Sequence, residues 1–218
     1  MPRIHDPFIF RRRLMAALAA LALFTAVAPA AHGAGDEQGA REFVQSLADR
    51  AIQSLTAPDT AREIRIKGFR DLFNEHFAVV AIGKWILGRH WRKATEDEQK
   101  EYIDLFEDLI VVSYVDRFAE YTGEPLNILK TLAVDEKTVI VFTQIIQEKA
   151  ETAVRVNWRV GKKDDSFKVV DVVVEGTSMS NTLRSDFSSI IRREGGKVAG
   201  LLVVLRAKTA SLKEPAKD

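Results

Sequence analysis

The 218-residue chain has no cysteine. That absence excludes disulfide frameworks, thiolate metal sites, iron–sulfur clusters and cysteine nucleophiles together. Histidine is scarce, with four residues at positions 5, 32, 76 and 90, and none has the spacing of a metal motif such as H-E-x-x-H. Neither a metal nor a cofactor is therefore expected. Gly33-Ala34-Gly35 follows no strand pattern, so it lacks the setting of a dinucleotide loop. Charge of one sign is missing too. Lys and Arg total 32 against 31 Asp and Glu, a net charge of +1, which excludes the basic excess of a nucleic-acid binder. What is present is 46% apolar and 29% charged residues, the balance of a globular domain.

Arg11, Arg12 and Arg13 precede an apolar run from Leu14 to Ala28, and Ala28-Pro29-Ala30 ends it with small residues. A basic region, a short apolar region and an A-x-A site make a cleaved secretory signal peptide over residues 1–30. The run falls short of the roughly 20 residues a spanning helix needs. The arginines leave Sec and twin-arginine export both open. Residues 1–30 hold four arginines and one aspartate, so the remaining chain carries 28 basic and 30 acidic residues, a net charge of −2.

Beyond that leader the apolar residues recur with helical spacing. Phe43, Val44, Leu47, Ala51, Ile52 and Leu55 predict one amphipathic helix over 36–56. Asp59 is the expected cap of a second, which runs through Phe69, Leu72, Phe73 and Phe77. Val79 to Leu87 reads as a third, stopped by Gly88. Thr95 and Glu98 have the spacing of a capping box, opening a long helix to about Tyr121. Its wide apolar face, with stripes through Ile103, Phe106, Ile110, Tyr114 and Phe118 and through Tyr102, Leu105, Leu109 and Val112, requires more than one neighbour.

After Pro125 the period changes to two. Segments 126–134, 138–147, 152–160 and 167–175 predict strands, and their short connections require antiparallel pairing. Helices over 179–194 and 197–207 follow, then a charged tail from residue 211. The expected fold is α+β: an antiparallel, curved sheet of four to five strands packed against several helices, in one domain spanning 31–210.

Catalytic patterns fail on inspection. Gly176-Thr177-Ser178-Met179-Ser180 sits where a nucleophile elbow would, but G-x-S-x-G is incomplete and no histidine follows His90, so Ser178 reads as a helix N-cap. Asp171 inside the fourth strand is the one candidate general base, as in small cone-shaped cavity enzymes, with Arg155 or Arg159 as possible neighbours.

Two segments make the chain recognisable: Ile86-Leu87-Gly88-Arg89-His90-Trp91-Arg92-Lys93-Ala94-Thr95, and Asp171 to Phe187 with Asp171, Glu175, Gly176, Ser178, Asn181, Arg184 and Phe187. With the Phe-rich helix carrying Phe106, Tyr114 and Tyr121, the chain resembles the MlaC or toluene-tolerance family over roughly residues 40–207. It departs from the family pattern at Gly195-Gly196-Lys197-Val198-Ala199-Gly200-Leu201, where an Asp is missing, and at Thr177.

The resemblance implies a monomeric periplasmic carrier, not an enzyme, that shelters one phospholipid in a cavity between sheet and helices. Its implied partners are an inner-membrane ATP-driven lipid transport complex and an outer-membrane lipoprotein–porin complex. A hopanoid is the alternative cargo, and an exported cavity enzyme the alternative class. The expected lipid-binding residues are Phe106, Ile110, Tyr114 and Phe118 of the long helix and Val154, Val156 and Trp158 of the third strand. Val172, Val174 and Phe187 complete that set. Arg89, Trp91 and Arg92 are the expected partner-docking residues.

Overall fold

The computed structural model describes residues 32–214 except 58, 120, 122–123, 148–151 and 165. The chain divides into two units, residues 1–32 and 33–218. The expected signal peptide lies outside the described residues, and the account below is of the second unit.

Four helices come first. α1 (His32–Leu55) and α2 (Arg62–His76) meet at a corner closed by Arg65, whose guanidinium donates to the carbonyls of Leu55 (3.0 Å) and Thr60 (2.8 Å). Asp59 does not cap α2. It occupies a left-handed turn at φ 59°, and the helix starts three residues later after Ala61, without a side-chain cap. α3 (Val79–Leu87) stops at Gly88 as expected and runs into a 3₁₀ turn, Gly88–Lys93. α4 (Glu96–Ala119) opens with the predicted capping box: Glu98 N–H donates to Thr95 Oγ1 (3.2 Å) and Thr95 N–H to Glu98 Oε2 (2.9 Å).

The sheet is a five-stranded antiparallel meander, β1 (Leu126–Asp135), β2 (Thr138–Gln147), β3 (Thr152–Lys163), β4 (Ser166–Val174) and β5 (Thr177–Ser178), in sequence order. β3 continues through Gly161 to Lys163, past the expected strand end at 160, because Lys162 and Lys163 pair with Phe167 and Ser166. Irregularities at 128/130, 133/135 and 159/160 bend the strands, and the sheet stays open with β1 and β5 as edges.

α5 (Met179–Arg193) and α6 (Val198–Lys213) complete the chain. α6 extends to Lys213, past the expected helix end at 207 and domain end at 210. Leu212 packs on the helical core, and Lys213 Nζ donates to Asp108 (2.6 Å).

α4 packs chiefly on α2, α3 and α6, so its wide apolar face does serve several neighbours. Tyr102, Phe106, Phe73 and Phe187 form the middle of this helical core, each 4% exposed or less. Gly83 lets α3 approach α4: a Cβ there would stand 2.7 Å from Ile103 Cδ1, and Gly83 O accepts the buried Tyr102 hydroxyl at 3.0 Å. Arg70 clasps α4 through Glu107 (2.5 Å) and Asp108 (2.6 Å), and Arg62 reaches Asp116 and the Leu212 carbonyl, both at 2.9 Å. Partly exposed ion pairs contribute about 0–1 kcal/mol each, so apolar packing carries the helical layer.

Candidate functional site

In antiparallel pairs, facing residues share a side of the sheet. The register therefore assembles one apolar face. Leu126–Ile145–Val154 is its first row, Ile128–Thr143–Val156–Val174 the second, and Val141–Trp158–Val172 the third, with Val139–Val160–Val169 beyond. This brings Val154, Val156, Trp158, Val172 and Val174 together, the strand half of the expected set.

Burial along that face is graded. Val139, Val141, Val160 and Val169 are at most 3% exposed, and three of them lie under Ala40 and Val44 of α1. α1 approaches closely there: a Cβ on Gly39 would stand 2.8 Å from the Phe167 ring. Glu37 ties the helix to β1, accepting from Thr131 Oγ1 (2.9 Å) and Ala133 N–H (3.2 Å), and Asp36 accepts from Lys162 Nζ. At the other end Leu126, Ile128, Ile145, Val154, Trp158, Val172 and Val174 are only half-buried. Their side chains are as apolar as those under α1 but lack equivalent cover. Within this second end the middle of the second row is itself closed: Thr143 is fully buried and Val156 is 8% exposed, and the Thr143 hydroxyl donates to Val156 O (2.5 Å) and accepts from Trp158 Nε1 (3.2 Å).

The helical half of the expected set is distributed differently. Phe106 stacks on Tyr102 and Phe187 meets Tyr102 edge-on, both at 6.1 Å, inside the helical core. Ile110 is half-buried against that core, and Tyr114 lies half-buried beneath the Arg117 guanidinium at 5.3 Å. Phe118 begins a row of rings, Phe118–Phe69 (5.1 Å), Phe69–Phe73 (6.3 Å) and Phe73–Phe77 (4.8 Å). The row ends at the sheet, where Phe77 bridges Val169 and Ala78 N–H donates to Val169 O (2.9 Å). α2, α3 and α5 stand against β4, and α1 reaches it at Phe167. Phe69, Phe77, Ile128 and Leu126 were not among the sequence candidates. The period-two pattern of β1 and the Phe spacing of α2 were the available signals.

Asp171 is a structural acceptor. Its Oδ2 accepts from Ser178 Oγ (2.6 Å), and its Oδ1 from the backbone N–H groups of Ser180 (3.1 Å) and Val172 (3.0 Å). Ser178 in turn caps α5 by accepting from Asn181 N–H at 3.1 Å, as expected. Glu175 at φ 46° and Gly176 at φ 80° make the reversal between strand and helix. The carboxylate partner of Arg155 is Glu175, not Asp171.

The two segments that carry the family resemblance meet in space. Arg184 of α5 donates from Nη1 to Trp85 O (2.6 Å), and its guanidinium lies 4.6 Å above the Trp85 ring. The same guanidinium comes within 2.9 Å of where a Cβ on Gly88 would stand, and Gly88 has φ 56°, so a side chain there is excluded twice. Trp91 turns inward, 6.3 Å edge-on from Tyr102 with Lys84 Nζ 5.1 Å over its ring, whereas Arg89 and Arg92 are exposed. Burial, aided by Arg89, Lys93 and Arg192, holds the His90 imidazole below its ordinary pKa. His76 is also lowered, by burial that outweighs the opposing pull of Glu75, with Arg50 and Lys168 adding to it.

A cleft of about 380 Å³ follows the polar side of α1, lined by Gln38, Arg41, Gln45 and neighbouring residues, and touches the sheet at Ile128. Among the described residues no three His, Asp or Glu side chains gather as a metal site, and no helix is long and apolar enough to cross a membrane.

An open antiparallel sheet with one end of its apolar face under a helix and the other incompletely covered defines an α+β domain built around sheltered apolar surface. The chain belongs to the MlaC family: the family described as MlaC protein matches residues 45–207. It is similar to the intermembrane phospholipid transport system binding protein MlaC of Haemophilus influenzae, 21% identical over 164 residues that cover 70% of this chain and 75% of that protein. The same fold occurs in a phospholipid-binding protein of Ralstonia solanacearum, solved in complex with a phospholipid. Its TM-score is 0.71 at 23% identity, over 80% of this chain and 99% of that one.

Proposed function

We propose that this chain is a periplasmic carrier, exported by a cleaved signal peptide, that binds a phospholipid and passes it between membrane complexes. The observation that carries the reading is the graded burial of the sheet face, where Ile128, Val154, Trp158, Val172 and Val174 stay half-buried beside a fully packed end. Acyl chains laid on these residues complete the cover. Exposing a chain to water costs about 0.8 kcal/mol per CH₂, so two ordinary chains cost on the order of 20 kcal/mol and need a carrier. The lining on this reading comprises Val154, Val156, Trp158, Val172 and Val174, with Ile110, Tyr114 and Phe118 supplying the helix side. Phe106 and Phe187 back that wall from within the helical core, and the headgroup stays in solvent.

The relatives support the reading, since one is named for phospholipid transport and another was solved holding a phospholipid. The partners are then an ATP-driven inner-membrane complex and an outer-membrane lipoprotein–porin complex. The activity is carriage rather than catalysis, because the acceptor atoms of Asp171 are committed to holding the strand–helix corner. Mass spectrometry of a solvent extract of the purified protein tests this: one phospholipid per chain is expected. A protein recovered without lipid, or with a different amphiphile in stoichiometric amount, refutes the phospholipid assignment.

A further inference from the structure

The outer side of α3 has a composition that internal packing does not require. α3 buries Val79, Ile82, Gly83, Ile86 and Leu87, yet Val80 is 50% and Trp85 47% exposed, with Ala81 and Lys84 also exposed. Positions 80, 81, 84 and 85 repeat with helical spacing, so they form one outward ridge. From Phe77 to Thr95 there is no acidic residue, while Lys84, Arg89, Arg92 and Lys93 all fall in that stretch. None of these four cations forms a salt bridge among the described residues. Arg184 adds a fifth cation, held over the Trp85 ring.

We propose that the α3 ridge and the following 3₁₀ turn dock directly on an anionic bilayer surface. Trp85 and Val80 enter the headgroup layer, and Lys84, Arg89, Arg92 and Lys93 lie in its negative field. Tryptophan favours that depth because its ring is apolar at one end and donates a hydrogen bond at the other. Charge complementarity selects the orientation. Residues 31–218 carry a net charge of −2, so an anionic membrane repels the body of the domain and attracts this acid-free stretch, which ends where Glu96, Asp97 and Glu98 open α4. A bilayer suits the surface better than an acidic protein does. The apolar residues form a ridge rather than a pocket, and Arg89, Arg92 and Lys93 sit on exposed side chains that no salt bridge among the described residues fixes in place. The proposal rests on the carrier reading only in giving the contact a purpose: it holds the carrier beside a membrane-bound donor or acceptor.

Flotation with vesicles tests it, using the full chain expressed with its own leader and recovered from the periplasmic extract. Vesicles of phosphatidylcholine alone are compared with vesicles containing equal phosphatidylglycerol, at low and high salt. The protein is expected to float with the phosphatidylglycerol vesicles at low salt and to be released by high salt. Each cation near an anionic surface strengthens partition about fivefold, so R89Q combined with K93Q should weaken binding on the order of 25-fold. W85S should weaken it while preserving the salt dependence. Equal flotation on both vesicle types, or variants that float like the parent, overturns the proposal. Lipid content of the same samples is measured separately. A chain that holds lipid but does not float refutes the bilayer contact alone, and one that floats without bound lipid refutes the carrier reading alone.

Discussion

The helical core and the open end of the sheet face contain the same kind of residue in opposite states of completion. Around Tyr102 the rings of Phe106, Phe187 and Trp91 meet at 6.1–6.3 Å, and the helices are drawn together until Gly83 and Gly88 leave no room for a side chain. Around Val154, Val172 and Val174 the side chains are aligned by strand register but remain half-buried. One region has found all its partners within the chain. The other is a surface organised by the fold and only half-buried among the described residues. Stability should therefore reside mainly in the first and ligand affinity in the second.

The largest effect should follow from breaking the completed region. Phe106→Ala removes a ring that is 1% exposed, and such truncations cost about 3–5 kcal/mol. That is a large share of the roughly 5–15 kcal/mol that stabilises a typical domain. A steep fall in the urea midpoint is expected, with lipid lost only as the protein unfolds. Lipid loss well before unfolding would mean that the aromatic core itself holds the ligand.

Val156→Trp tests the open end. Val156 is buried, 8% exposed, but faces half-buried Val174 in the row Ile128–Thr143–Val156–Val174. A larger side chain should occupy ligand space at a cost of about 1–3 kcal/mol in overpacking. The expected outcome is a several-fold drop in the lipid-to-protein ratio from a protein that still unfolds cooperatively. An unchanged ratio accompanied by collapse of the fold would assign Val156 to the packed end instead.

These two regions were unequally legible in the sequence. The strand half of the site was readable because period two assigns a face without further information: Val154, Val156 and Trp158 must point the same way, and antiparallel pairing brings Val172 and Val174 beside them. The helix half was not. On α4 the residues 103, 106, 110, 114 and 118 and the residues 102, 105, 109 and 112 are both apolar stripes, and Phe106 of the first is buried while Leu105 of the second is half-buried. Which one meets which neighbour depends on how α2, α3 and α6 are arranged around the helix, and periodicity carries no such information. Tyr102, Leu109 and Val112 proved buried, whereas Ile103, Ile110, Tyr114 and Phe118 are half-buried. Local chemistry was read correctly where donor and acceptor are close in sequence, as at Thr95 with Glu98 and at Ser178. The Asp171–Ser178–Ser180 contact was missed because it depends on the reversal at Glu175 and Gly176.

That reversal joins the sheet to the helical layer, so Asp171→Asn probes the junction between the regions. The substitution removes the charge from an acceptor of three hydrogen bonds, and losses of this kind cost about 1–3 kcal/mol. A moderate loss of thermal stability with unchanged lipid content is expected. A variant of parental stability that transfers lipid abnormally would mean that Asp171 acts on the ligand.

The smallest effect concerns protons, at one histidine beside the helical core and one beside the packed end of the sheet. His90 is buried beside the helical core, and His76 sits at the end of α2, 5.7 Å edge-on from Phe43 of the helix that covers the sheet. Burial is the leading cause of a lowered pKa in both, from an ordinary 6.5. Between the ordinary value and the lower folded one, the unfolded chain binds more protons than the folded chain, so stability rises with pH in that window. The contribution is complete above about pH 6.5 and is lost as the pH falls through the folded pKa of each histidine. Asp108 acts in a lower window. Burial raises its pKa, but the hydrogen bonds from Lys213 and Arg70 outweigh that and hold it below the usual carboxylate range, so its contribution is lost only in stronger acid. Urea midpoints measured between pH 7 and 5 should therefore decline, and substituting both histidines by glutamine should flatten the decline without altering behaviour near pH 3. Following the two imidazole resonances by NMR separates the regions. Because His76 stands beside the α1-covered end and His90 beside the helical core, removal of a lipid that covers only the open end should leave both titrations where they were. Movement of either would show that the open end is not independent of the region around that histidine.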